Sequence, residues 1–135
     1  MGLFSGRRPQ DLGVNAGKLK SCPNKPNCVN SQAVGDPRHV IEPLRFSGDA
    51  AAAWRVLHEA IAGIERAAII TDQPDYLYAE FTTRLMGYVD DVEFQLDAAN
   101  RQIHVRSASR LGYRDFNVNR ERIEAVRERF NALLK

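Results

Sequence analysis

RLMGYVDDVEFQLDAANRQIHVRSASRLGYRDFNVNRER, residues 84–122, is the stretch from which the fold can be inferred most directly. Apolar and polar residues alternate through 88–96 and again through 103–109, and the turn formers AAN stand between the two runs. Such alternation is typical of strands with one buried face. The stretch therefore predicts a strand, a tight turn, a second antiparallel strand, a polar loop and the start of a helix.

The alternation places one acidic side chain on the face that must pack against the core. Asp90 is in register with Val92 and Phe94, and Ser107 and Ser109 of the next strand share that face. A buried carboxylate without partners would destabilise the fold by several kcal/mol. We therefore expect Asp90 to be paired or hydrogen-bonded, with the two serine hydroxyls as possible donors.

The opposite face of the predicted sheet carries charges of both signs within cross-strand reach of one another. Its members are Glu80, Arg84, Asp91, Glu93, His104 and Arg106. One interpretation is a ladder of ion pairs, each contributing about 0.2–1 kcal/mol on an exposed sheet. The other is a polar floor for a ligand, edged by tyrosines. The residues alone leave both interpretations open.

The flanking segments complete a predicted α+β domain. An alanine-rich helix over 50–64, capped by Ser47 or Asp49, precedes strands over 67–71 and 76–85. A last helix, with Asn119 as its N-cap, carries an apolar stripe that would lie on the sheet. The order β-α-β-β-β-β-α predicts a two-layer fold: an antiparallel sheet of four to five strands with two helices on one face.

Residues 1–47 show no periodicity and predict an irregular leader that packs on the α+β domain of residues 48–135. Cys22 and Cys28 lie in a loop rich in proline and asparagine, with five residues between them. A compact loop of this length can bring two thiols within disulfide reach. A reduced or redox-labile pair, a disulfide, and a metal or catalytic thiol all stay open.

Composition and charge exclude several classes of protein. The chain of 135 residues is 44% hydrophobic and 27% charged, which is typical of one ordinary globular domain. No apolar run approaches the ~20 residues of a membrane helix, and the basic pair near the start is not typical of a secretory signal, so we expect a cytoplasmic protein. Nucleotide-binding glycine loops and the G-x-S-x-G nucleophile motif are absent, and we predict neither a cofactor nor a metal site.

Charge is distributed unevenly along the chain. The net charge of residues 49–100 is −7 (three basic against ten acidic), and that of residues 101–135 is +5 (nine against four). A basic tail can bind nucleic acid, but here the acidic middle can neutralise it internally. Internal pairing is therefore favoured over nucleic-acid binding.

Three separated blocks resemble a known family. CPNKPNCVNSQ, YVDDVEF and RSASRLGYRDFNVNRER are similar to the signature blocks of the domain-of-unknown-function 1499 family, and the resemblance covers about residues 18–134. It implies no activity, since the family is named for lacking one; it implies relatives in bacteria and in plastid-bearing plants. The positions that match its pattern are Cys22, Pro23, Pro26, Asn27, Cys28, Asp90, Asp91, Glu93, Phe94, Arg106, Ser107, Ser109, Arg110, Gly112, Asp115, Asn119 and Arg120.

Three functions are compatible with the sequence. The first is a small binding module for a polar or anionic small molecule or a protein partner. The second is an acid/base enzyme with Asp90 or Asp91 as the base and Arg106 or Arg120 stabilising an oxyanion. The third is a structural or assembly protein. The candidate ligand-binding residues are Arg84, Asp90, Asp91, Glu93, Arg106, Ser107, Ser109, Arg110, Asp115, Asn119 and Arg120.

The three functions predict different sites. A binding site predicts a concave cavity lined by these side chains, with Asp90 reachable by solvent. Internal pairing predicts that every charge already has a protein partner. An enzyme would also need a carboxylate with a raised pKa beside the cavity. The sequence does not predict the oligomeric state.

Overall fold

A computed structural model of the protein describes residues 6–111 and 116–134, with the side chain of Phe116 left aside. Within these ranges a short 3₁₀ helix, Pro37–His39, lies in the leader. The other elements are β1 (Val14–Asn15), β2 (Lys18–Leu19), β3 (Cys28–Asn30), β4 (Leu44–Arg45), α1 (Ala50–Ala62), β5 (Ala67–Asp72), β6 (Tyr76–Thr82), β7 (Val89–Asp97), β8 (Gln102–Ser109) and α2 (Phe116–Leu134).

The main sheet is antiparallel and contains six strands in the described parts of the chain. Its order is β3-β8-β7-β6-β5, and β4 pairs with β8 further along the edge that β3 occupies. The predicted α+β fold and the order of its elements are confirmed. The sheet has one strand more than the sequence indicated because the leader contributes β3, which is too short to show a period.

The strand register confirms the alternation inferred for residues 88–109. Asp90 pairs with Ser109, Glu93 with Arg106, and Phe94 with Val105. The prediction was wrong at the end of the preceding strand, since β6 ends at Thr82 and residue 84 lies in an exposed turn.

The early end of β6 has a local cause. The amide of Thr83 donates to the carbonyl of Tyr88, and the Thr83 hydroxyl accepts from the amide of Tyr88. Gly87 supplies the positive φ (70°) that the chain needs to reverse direction here. Arg84 is therefore carried out of the sheet and away from the charged face.

The helices cover one face of the sheet and bury an apolar core. Asp49 caps α1 by accepting from the amide of Ala52, as the sequence predicted, and Gly63 is the C-cap of the helix. The fully buried core residues include Leu57 and Ile61 of α1, Phe94 of the sheet and Phe130 of α2. Burial of such side chains contributes about 1.5–3 kcal/mol each.

The leader covers the opposite face. Leu19 of β2 packs against Tyr76 and Tyr78 of β6, and half-buried Leu12 joins this second apolar cluster. The β1–β2 hairpin belongs to a separate two-stranded sheet. The division into a leader, 1–47, and a domain, 48–135, stays a prediction, although the leader supplies two strands of the main sheet.

The last helix begins earlier than the sequence indicated. It starts at Phe116, so Asn119 lies inside its first turn and the prediction that Asn119 is the N-cap was wrong. The Asn119 side chain is fully buried instead, because it has partners on the sheet and the leader. The predicted site residue Asp115 lies outside the described residues. In the described parts of the chain no helix is long and apolar enough to cross a membrane.

Candidate functional site

Charged side chains converge between the sheet and the leader. We define the charge cluster as Glu80, Asp91, Glu93, Arg106 and Arg110, which come from β6, β7 and the end of β8. Alternation in neighbouring strands places the first four on one face. The leader then removes this face from solvent, so the members of the cluster must satisfy one another.

Glu93 is fully buried and is held from three directions. Its carboxylate accepts from the Tyr76 hydroxyl at 2.6 Å, from the amide of Gly13 at 2.8 Å and from Nη1 of Arg106 at 3.4 Å. Burial and this carboxylate raise the pKa of the Tyr76 phenol, so the hydroxyl remains a donor. Gly13 thereby fixes the leader directly to the centre of the sheet.

Asp91 and Glu80 share the guanidinium of Arg110. Two nitrogens of Arg110 donate to Asp91 at 2.9–3.0 Å, and Nη2 also reaches Glu80. The Tyr78 hydroxyl donates to Asp91 as well, and burial together with that carboxylate raises the pKa of the phenol. A hydrogen bond from Arg8 of the leader, helped by Arg110, lowers the pKa of Glu80 despite its partial burial.

Arg106 is the least satisfied member of the cluster. Its side chain is 4% exposed, and burial lowers its pKa against the attraction of Glu93 and Asp91. In the described chain the 3.4 Å contact with Glu93 is its side-chain hydrogen bond, at the long limit for such a bond. The buried Nε of Arg106 has no hydrogen-bond partner among the described residues.

A cavity of about 380 Å³ opens beside this guanidinium, between the leader and the end of β8. We call it the leader cavity. Its polar lining includes Lys20, Asn27, Asp91, Arg106 and Arg110. The Oδ1 atom of Asn27 is a second buried polar atom without a partner in the described residues. The two residues that carry these buried atoms without a partner thus both line one cavity.

The cysteine loop forms another wall of the leader cavity. Cys22 and Cys28 are joined in a disulfide, one of the three states that the sequence left open. Cys22 and Pro23 line the cavity, while Cys28 is fully buried opposite Ala108 of β8. The disulfide therefore attaches the cavity wall to the edge of the sheet.

A larger cavity of about 500 Å³ lies further along the same face. Leader residues Arg8 to Val14 and the edge of the sheet at Ile70, Tyr76 and Tyr78 line it. Neither Arg106 nor Asn27 contributes to this lining. The leader cavity is therefore the better candidate site.

Asp90 lies on the helix-covered face, where a separate polar network meets it. The Ser109 hydroxyl donates to its carboxylate at 2.8 Å, and Arg122 of α2 approaches at 3.4 Å. The Asn119 amide donates to Ser109 and to the Asn27 carbonyl, and accepts from Ser107. Of the two predicted serine donors, Ser109 bonds Asp90. Asp90 is fully buried, as its register with the core predicted, so the solvent access that a binding site at Asp90 would require is not present.

The predicted site residues thus divide into separate groups. Asp91, Arg106, Ser109 and Arg110 line the leader cavity, and Glu93 adjoins it through Arg106. Asp90, Ser107 and Asn119 belong to the buried network. Arg120 donates to the backbone carbonyls of Arg38 and Val40 and does not line this cavity. Arg84 lies in its exposed turn, away from both groups.

Sequence reasoning missed the leader's own contribution. Arg8 pairs with Glu80, Lys20 lines the cavity, and Gly13 donates to Glu93. The excess of +4 in residues 1–48 was the available signal, because that charge opposes the −7 of residues 49–100. Among the described residues no group of three His, Cys, Asp or Glu side chains could hold a metal ion.

Comparison with known families gives a match over residues 18–130, to the family described as "Protein of unknown function (DUF1499)". The chain belongs to this family. The matched range contains the cysteine loop, the whole main sheet and most of α2, and the positions of Lys20, Asn27 and Arg106 lie inside it. The leader residues Arg8 and Gly13 precede it. No curated protein and no solved structure matches the chain.

Proposed function

We propose that the protein is a small binding module that holds a polar anion of low molecular weight in the leader cavity. The observation that carries this proposal is that Arg106 lines the cavity, while its buried Nε has no hydrogen-bond partner in the described parts of the chain. A buried donor left unsatisfied destabilises a protein by about 1–3 kcal/mol. An anion that accepts from Nε would remove that penalty.

The charge of the lining supports an anionic ligand. Three cations, Lys20, Arg106 and Arg110, line the leader cavity together with one carboxylate, Asp91. Arg110 already neutralises Asp91 through two hydrogen bonds. Arg106 is paired with Glu93 at 3.4 Å, so the positive charge offered to a ligand comes mainly from exposed Lys20, while Arg106 offers N–H donors.

Lys20 is free to exchange its present partner for a ligand. Its ammonium group pairs with Asp11, but the two side chains are 41% and 66% exposed. Exposed ion pairs contribute at most about 1 kcal/mol. The cavity volume of about 380 Å³ also lies within the range of about 300–1,000 Å³ that is usual for small-molecule sites.

Isothermal titration calorimetry of the oxidised protein with citrate, malate and phosphate tests the proposal. We expect saturable binding of at least one of these anions, weakened about fivefold to tenfold in Lys20→Ala, because one ligand contact of about 1 kcal/mol is lost. Lys18→Ala is the matched control, since Lys18 is an exposed lysine of the same leader that does not line this cavity. Absence of binding by all three anions, or equal loss in both variants, would overturn the proposal.

Arg106→Lys supplies a second variant. Lysine keeps the positive charge beside Glu93 but lacks the planar N–H groups of the guanidinium. We expect this variant to fold and to lose most of its affinity for the anion. Unchanged affinity would remove Arg106 from the proposed site.

A structural role is the second candidate, and one observation favours it. Each carboxylate of the charge cluster already has a protein partner, which is the arrangement expected of internal pairing. It predicts that no probe anion binds and that the cluster contributes stability alone. An acid/base enzyme would have to use Asp91 and Arg106, because Asp90 is fully buried and Arg120 does not line the cavity.

The proposal depends on the oxidation state of the cavity wall. Cytoplasmic localisation stays a prediction from the sequence, whereas a persistent Cys22–Cys28 disulfide is typical of oxidising compartments. A protein partner in place of a small molecule also stays a hypothesis. This hypothesis predicts that a protein binds where the leader cavity opens and that none of the probe anions binds.

A further inference from the structure

Asn27 presents the second unmet atom of the leader cavity. Its residue is 6% exposed, and its Nδ2 donates to the carbonyl of Ser109 at 2.9 Å. This bond fixes the orientation of the amide, so that the remaining atom, Oδ1, is an acceptor. Within the described ranges Oδ1 accepts no hydrogen bond, although it is buried.

Several contacts hold Asn27 in place. Its backbone carbonyl accepts from the Ser109 amide and from Nδ2 of Asn119, both at 2.9 Å. The next residue, Cys28, is fixed by the disulfide and by pairing with Ala108. The Oδ1 atom therefore cannot turn to another partner without breaking the contact with Ser109.

Two residues of the cavity lining thus carry a donor and an acceptor that both lack a partner among the described residues. Arg106 Nε requires an acceptor, and a carboxylate suits a guanidinium best. Asn27 Oδ1 requires an O–H or N–H donor. An ion that only accepts, such as chloride or sulfate, would satisfy Arg106 and leave Asn27 unmet.

We infer that the ligand is a hydroxy- or amino-carboxylic acid, a molecule that carries a hydrogen-bond donor as well as its carboxylate. This inference rests on the proposed function, and it adds the chemical class. The carboxylate binds at Arg106 and Lys20, and the hydroxyl or ammonium group donates to Asn27 Oδ1. A site built in this way rejects the analogue that lacks the donor, because the buried acceptor then loses both water and partner.

Matched pairs of acids that differ by one hydroxyl test the inference. The probes are citrate against tricarballylate, malate against succinate, and 4-hydroxybutyrate against butyrate, titrated calorimetrically into the oxidised full chain. We expect at least one hydroxy acid to bind about tenfold to hundredfold more tightly than its partner. If both members of every pair bind within twofold of each other, the chemical class is wrong and the anion site survives. If phosphate binds but none of the six acids does, the chemical class is wrong as well; if phosphate does not bind either, the proposed function fails too.

Asn27→Ala provides a second readout. The variant should reduce the affinity for the preferred hydroxy acid to that for its deoxy partner, while the deoxy acid binds as it does to the wild type. The deoxy acid is thus an internal control for folding and for the Arg106 contact. Retained discrimination in this variant would overturn the role of Asn27, and the comparison of pairs in the wild type stands even if the variant does not fold.

Discussion

The helix-covered face and the leader-covered face of the sheet are both buried, but different forces stabilise them. The first is filled by apolar side chains such as Phe94 and Phe130, which need only complementary shape. The second is filled by charged groups that must find partners together. On the apolar face the loss of one side chain leaves a cavity but no unpaired charge, whereas a charge cluster that loses one member leaves its neighbours buried and unpaired. The leader-covered face is therefore the more sensitive to single changes of charge.

The largest effect is expected at the centre of the charge cluster. Arg106→Ala removes the guanidinium beside Glu93 and should lower the free energy of unfolding by about 3–5 kcal/mol, since Glu93 is 0% exposed. Urea unfolding followed by circular dichroism measures the change. The double variant Arg106→Ala/Glu93→Gln removes the stranded charge and should recover at least about 1 kcal/mol. A double variant no more stable than the single one would show that packing, not charge, sets the loss.

Asp90 and Asp91, neighbours in β7 on opposite faces of the sheet, allow the two faces to be compared directly. Asp91→Asn should lower the free energy of unfolding by about 2–3 kcal/mol, because Asp91 accepts from two nitrogens of Arg110 and from Tyr78. Asp90→Asn should lower it by about 1–2 kcal/mol, because an amide oxygen still accepts from Ser109. The same unfolding assay ranks them. The reverse order would contradict the view that charge dominates the leader-covered face.

The disulfide makes one face depend on redox conditions. Replacing both cysteines by serine should lower the free energy of unfolding by about 2 kcal/mol, because the crosslink no longer restricts a short loop in the unfolded chain. Thermal unfolding with and without dithiothreitol checks this. Reductant should lower the midpoint of the wild type and leave that of the double variant unchanged. An equal response of the two proteins would contradict the prediction.

The smallest effect is expected where α1 meets the edge strand β5. Burial opposes the charge on His58, but hydrogen bonds from its two ring nitrogens to the Trp54 carbonyl and to Asp72 outweigh it and raise the pKa. Two acceptors require two N–H donors, so the cationic ring is the bound form. Its contribution is fully present below the unfolded pKa, about 6.5, and is lost as the pH rises through the higher folded pKa.

Comparison with His58→Gln measures that contribution. The wild type should exceed the variant by about 0.5 kcal/mol in acid and by less in alkali. Unfolding free energies at a pH of about 5.5 and about 8.5 bracket the range. A difference between the two proteins that does not change with pH would show that the ring remains neutral.

Strand pairing was predictable because polar and apolar residues alternate through 91–96 and 102–106, and consecutive strands from β5 to β8 pair with one another. The same period placed Asp90 on the core face and placed Glu93 and Arg106 together on the other face, since both follow from parity alone. The end of a strand was not predictable in this way. Hydrogen bonds between Thr83 and Tyr88, which no period marks, moved Arg84 into the turn.

The burial of the charged face was not predictable from any local pattern. It depends on leader residues such as Arg8, whose partner Glu80 lies 72 positions away, and the leader has no period of its own. For a similar reason, the sequence could not predict that Arg106 Nε and Asn27 Oδ1 lack hydrogen-bond partners among the described residues. Whether a polar atom lacks a partner depends on the positions of all its neighbours, and a single sequence does not contain them.

The pairing of β3 with β8 determines when the leader can fold against the rest of the protein during synthesis. The leader leaves the ribosome before the rest of the fold, yet its Asn27 is bonded to Asn119, 92 residues later in the chain. The leader can therefore complete its contacts only after nearly the whole polypeptide has been synthesised, and long-range closure of this kind is slow. The small ring between Cys22 and Cys28 spans six positions and can form at once. The leader, although synthesised before the sheet and α2, is thus the last of these segments to dock.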